Sequence, residues 1–106
     1  MKLIFAIVGS DDSHAVSTAL TRSGYSVTKL ATTGGFLKVG NTTFLIGVED
    51  DRVDGAIEIL SKYCRKRTQV MPDTSIYGGE FASMPIEVTV GGATIFVVDV
   101  DRFEKL

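Results

Sequence analysis

The chain has 106 residues, with 11 Lys and Arg against 13 Asp and Glu for a formal charge of −2. This balance argues against non-specific attachment to nucleic-acid polymers or an anionic membrane, while leaving room for a local anion site. The length specifies one domain over residues 1–106, its 44% hydrophobic content suffices for a core, and a domain this small gains from oligomerisation.

In chain order, "KLIFAIV" is a near-continuous apolar run and reads as a first strand. It stops at Val8, too short for a signal-peptide core or a membrane span, and acidic residues follow at once. Asp11, Asp12 and Ser13 are helix-capping residues. Val16, Ala19 and Leu20 behind them keep helical spacing, and Gly24 is placed to end that helix. Residues 25–33, "YSVTKLATT", alternate imperfectly and predict a second strand. Residues 34–41 form a connector, and "TTFLIGV" a third strand with Gly47 inside it, where a glycine signals a bulge or close backbone approach.

Asp50, Asp51 and Arg52 open a second helix. Val53, Ile57, Leu60 and Cys64 form its apolar stripe, widened by Ala56 and Tyr63, and "CRKR" places cations in its last turn. Residues 68–85 carry two prolines and a Gly-Gly pair and read as a long loop. "IEVTV" and "ATIFVVDV" read as strands joined in a hairpin by Gly91-Gly92, and "DRFEKL" as a short tail. The order gives an α+β ferredoxin-like sandwich, βαββαβ with an extra C-terminal hairpin strand. Its helices cover one sheet face. The other face, with Phe5, Ile7, Phe44 and Ile46 as candidates, is left to be buried by association.

No Walker-type phosphate loop and no Gly-x-Gly-x-x-Gly turn is present, and a zinc site lacks ligands. His14 reads as a solvated helix residue. Cys64, on the apolar stripe, reads as a buried structural thiol, and a single cysteine suits a reducing cytoplasm. Glu49, Asp50 and Asp51 are explained by helix capping, and Lys62, Arg65, Lys66 and Arg67 by a solvated helix end. No catalytic residue is expected.

The connector region is richer. Gly34 and Gly35 present backbone N–H donors as anion-binding nests do. Thr28, Thr32 and Thr33 supply hydroxyls, Phe36 an aromatic face for a base, and Asn41 an amide matched to adenine's edge. Lys29 and Lys38 are placed to offset phosphate charge. These residues make either a nucleotide-binding loop or a hairpin whose Phe36 and Leu37 pack on a neighbouring subunit.

The block "VTKLATTGGFLKVGNTTFLIGVEDDRVD", with the opening "MKLIFAIV" and the closing "IEVTVGGATIFVVDVDRF", resembles the cyclic di-AMP receptor family of PII-like signalling proteins across nearly the whole chain. The resemblance implies a ferredoxin-like fold, a homotrimer with one cyclic di-AMP at each subunit interface, a sensor without a catalytic step, and no other cofactor. It implies that Phe36 flanks an adenine and that Gly35 and Leu37 line the pocket. Thr28 and Asn41 would give polar contacts, and Gly47 and Gly92 would permit close approach. Loops 34–41 and 68–85 would pass the ligand state to a protein partner. The chain departs from the family pattern at Gly24-Tyr25-Ser26, where relatives often carry Asn-Phe-Arg with the Asn and Arg on the ligand. Ser26 has no guanidinium for a charge-assisted bond to phosphate, roughly twice as strong as a neutral one. The long loop is shorter, and its Pro-Met-Gly-Gly-type turn reads Ile76-Tyr77-Gly78-Gly79. An alternative is therefore a trimeric interaction module with changed specificity, for ATP, ADP or no ligand.

Overall fold

A computed structural model describes residues 1–30, 40–72 and 85–106, with the side chains of residues 69–72 and 85–88 left aside. The elements are β1 (Lys2–Gly9), α1 (Ser10–Arg22), β2 (Ser26–Leu30), β3 (Asn41–Val48), a single 3-10 turn (Asp50–Arg52), α2 (Val53–Tyr63), β4 (Arg67–Pro72), β5 (Pro85–Val90) and β6 (Ala93–Asp99). Four strands form an antiparallel sheet in the order β2-β3-β1-β6. With one helix after β1 and one after β3, this is the ferredoxin-like arrangement expected from the sequence.

Alternation along the strands decides which residues enter the core. Ile4, Ala6 and Val8 of β1 pair across to Ile46, Phe44 and Thr42 of β3, and the apolar members are almost fully buried. They meet Val16 and Leu20 of α1, Ala56 and Leu60 of α2, and Cys64. Removing each Leu, Ile or Phe side chain from water stabilises the fold by roughly 1.5–3 kcal/mol. Phe44 and Ile46 thus belong to the core and not to the open sheet face. Phe5 pairs with Leu45, so Phe44 is forced onto the helix side. The open face carries Leu3, Phe5, Ile7 and Leu45, with Phe96 and Val98 of β6 exposed at 55% and 43%.

α1 begins earlier than its acidic residues suggested. Gly9 occupies the N-cap with no side-chain cap bond, and the Ser10 amide donates to the Gly40 carbonyl at 2.6 Å. α2 ends at Tyr63, so Cys64–Arg67 lie beyond the helix. Its buried centre is Ala56 and Leu60, with Ile59 packed beside them, while Tyr63 is 39% exposed.

The expected C-terminal hairpin does not form. β5 pairs antiparallel with β4, Val90 opposite Arg67, and β6 pairs with β1. Gly91 and Gly92 both take positive φ, +87° and +84°. They carry the chain from one sheet to the other rather than around a turn between paired strands. A Cβ on Gly91 would collide with the Arg65 carbonyl, and the Gly92 amide donates to the Cys64 carbonyl. Residues 68–72 and Pro85 therefore belong to a two-stranded ribbon inserted between α2 and β6, not to a loop. Residues 73–84 lie outside the described residues.

Candidate functional site

A cleft of about 530 Å³ opens where α1 begins, β3 begins and the ribbon joins the sheet. Its size suits a ligand of nucleotide dimensions. Asn41 and Gly92, both expected site residues, line it together with Ser10, Asp12, Lys66 and Arg67. The topology brings them together because Gly9 pairs with Asn41, and Val8 with Ala93, at the same end of the sheet.

Asp12 is an acid on a buried helix face, at 7% exposure. The Arg67 guanidinium engages it through both arms, Nη2 to Oδ1 at 2.9 Å and Nη1 to Oδ2 at 3.4 Å. Arg67 Nη1 also donates to the Arg65 carbonyl at 3.1 Å. The bond to Asp12 raises the Arg67 pKa further, so the guanidinium is a permanent cation of the cleft. Reading Lys66 and Arg67 as part of a solvated helix end missed this. The signal available was the spacing Asp12, Val16, Leu20, which sets the carboxylate on the buried stripe of α1. Behind the pair, burial pushes the Cys64 thiol up to about 11, with Asp12 adding to the effect and Arg67 opposing it.

The other expected residues do not converge on this cleft within one chain. Thr28 pairs with Leu45, and Gly47 with Leu3 and Ser26, so both sit on the open sheet face. Gly47 lies six residues along β3 from Asn41, about 20 Å in an extended strand. No heavy atom lies within 4 Å of the place a Cβ would take at Gly47, and the ladder runs through it without a bulge. Lys29 faces the opposite side of β2 from Thr28, beside Phe44. Gly35, Phe36, Leu37 and Lys38 lie outside the described residues.

At the departure from the family pattern, Arg52 occupies the surroundings of Gly24. Its Nη2 donates to the Ser23 carbonyl at 2.9 Å and its Nη1 to the Gly24 carbonyl at 3.4 Å. The same guanidinium lies 4.1 Å from the Tyr25 ring centroid. The Tyr25 hydroxyl donates to the Arg52 carbonyl at 3.1 Å.

The fold and the polar cleft define a small ferredoxin-like ligand-binding domain. The chain belongs to the cyclic-di-AMP receptor family, whose description "Cyclic-di-AMP receptor" matches residues 1–106, the whole chain. It is therefore a protein of binding and signalling rather than of a family defined by catalysis. A crystal structure of a functionally unknown protein from Pediococcus pentosaceus ATCC 25745 is similar, with 42% identity, a TM-score of 0.77, and coverage of 99% of this chain and 96% of that one. Among the described residues, no helix is long and apolar enough to cross a membrane.

Proposed function

We propose that the protein is a cytoplasmic, homotrimeric sensor that binds cyclic di-AMP at its subunit interfaces and needs no further cofactor. The observation that carries this reading is the family match over the full chain, together with a nucleotide-sized cleft holding Asn41 and Gly92. Thr28 and Gly47 lie on the same sheet face as Asn41 but farther along the strands, away from the cleft, which supports a site completed by a neighbouring subunit. The exposed apolar residues of the open sheet face supply a surface for that association.

In this reading Phe36 stacks on an adenine, Gly35 and Leu37 line the pocket, and Thr28 and Asn41 make polar contacts. Lys29 and Lys38 offset phosphate charge. Segments 34–41 and 68–85 carry the ligand state to a protein partner, to the extent that ligand binds one arrangement of them more tightly than another. No chemical step is assigned to any residue.

One observation favours a second reading, in which nucleotide specificity has shifted toward ATP or ADP or has been lost. Gly24, at φ +87°, has no side chain to reach a ligand, and Ser26 has no guanidinium, where relatives often carry Asn and Arg. Thermal unfolding against a nucleotide panel separates the readings. Selective stabilisation by cyclic di-AMP supports the sensor, since a ligand at a hundred times its Kd adds about 2.7 kcal/mol. Equal or greater stabilisation by ATP or ADP supports the second reading.

A further inference from the structure

A groove of about 450 Å³ runs between α1 and α2 on the outer surface of the helix layer. It shares no residue with the cleft and lies on the opposite side of the sheet from the open apolar face. Ala19 and Ile59 line it, and Arg22 of α1 and Lys62 of α2 stand along it. Tyr63 adds a ring that is 39% exposed, and His14 lies on the same groove. No carboxylate lines it. Among the described residues neither Arg22 nor Lys62 is in an ion pair. Lys62 Nζ instead lies 5.6 Å from the Tyr63 ring centroid. A chain of net charge −2 thus gathers unneutralised cations around a part-apolar furrow.

We propose that this groove is a docking site for an acidic, amphipathic helical segment of another protein. Charge complementarity selects the occupant, because the groove presents cations and no acid, so a basic segment would be repelled and a neutral one left without ionic contacts. A furrow between two helices receives a third helix by laying apolar anchors inward at i, i+3 or i+4, and i+7. Ile59 and Tyr63 meet those anchors, and Arg22 and Lys62 meet the flanking carboxylates. Cleft and groove lie on separate surfaces, so ligand and partner can be bound together. The proposal is independent of which nucleotide the cleft takes.

The test uses the full chain, isotope-labelled, and a synthetic 18-residue amphipathic peptide with Leu at the anchor positions and Glu at the flanks. Two-dimensional amide NMR during titration is expected to show shifts concentrated at residues 14–23 and 59–63. Affinity is expected to fall at least tenfold for Arg22→Glu/Lys62→Glu and for Tyr63→Ala. Both variants alter exposed side chains, and an unchanged unfolding midpoint establishes that they remain folded. The same peptide with Lys in place of Glu is expected not to bind. The proposal is overturned by absence of shifts at millimolar peptide, by shifts centred elsewhere, or by equal binding of the Lys peptide. Attachment of the protein to anionic vesicles without binding of the Glu peptide would also overturn it.

Discussion

Tyr25 and Gly55 form a coupled pair whose energetics run against general helix rules. Gly55 sits inside α2, where Ala is normally preferred by about 1 kcal/mol. A Cβ at Gly55 would run into the Tyr25 hydroxyl, itself hydrogen-bonded to the Arg52 carbonyl. Gly55→Ala is therefore expected to destabilise, by about 1–3 kcal/mol in chemical denaturation, as overpacking does. In a Tyr25→Phe background most of that loss should disappear. Equal losses in both backgrounds would show that the hydroxyl is not the obstacle.

Cys64 gives the residue-scale pH dependence. Its folded pKa of about 11 stands above the 9.0 of a free thiol. Native protein then holds the thiol proton where unfolded chain has released it. The contribution is complete below pH about 9, and it is lost as pH rises toward 11, by about 2 kcal/mol in all. Denaturation curves for the parent and Cys64→Ala should converge over that interval, because the variant loses the thiol's share of the slope.

At the scale of elements, the Asp12–Arg67 pair joins the start of α1 to the first residue of β4. Arg67→Ala leaves Asp12, nearly buried, without its partner. The Arg67 side chain is 38% exposed, so water can reach the vacated place, and the expected cost is about 1–3 kcal/mol rather than that of a sealed ion pair. Hydrogen exchange in the variant should accelerate at residues 67–72 and 86–90 ahead of the central strands. Uniform acceleration would contradict the ribbon as a separately anchored element.

Most of the elements were legible because their patterns are long. The runs 2–8 and 42–48 and the helical stripes were found within a few residues of their bounds. The face assignment of β3 was not, since "FLIGV" is apolar at successive positions and only the Phe5–Leu45 register separates its sides. β4 escaped because "RTQVMP" carries polar residues and a proline, and its partner lies more than a dozen residues away. The Gly91-Gly92 pair reads as a hairpin turn, and both residues take positive φ, yet positive φ also serves a chain leaving one sheet for another. Of the cleft's lining, Asn41 is singled out by its amide and Gly92 by resemblance. Asp12 and Arg67 were not legible as a pair: the spacing of Asp12 with Val16 and Leu20 marks a buried carboxylate, but nothing local names its partner 55 residues away.

At the scale of the whole molecule, an apolar open sheet face and a two-stranded ribbon standing off the core both fit association. The radius of gyration is 17.3 Å, against about 13 Å for a compact chain of roughly this length. Phe96, at 55% exposure, pairs with Phe5 at the centre of the open face. Sedimentation velocity is expected to find a trimer for the parent chain and mainly monomer for Phe96→Asp. A monomeric parent at tens of micromolar would remove the shared-site geometry from the account.

The most direct measurement is calorimetric titration of the purified protein with cyclic di-AMP, with Asn41→Ala and Phe36→Ala as controls. The account predicts saturable binding near one ligand per chain, weakened at least tenfold in both variants. Absence of binding heat and of any thermal shift with cyclic di-AMP would contradict it.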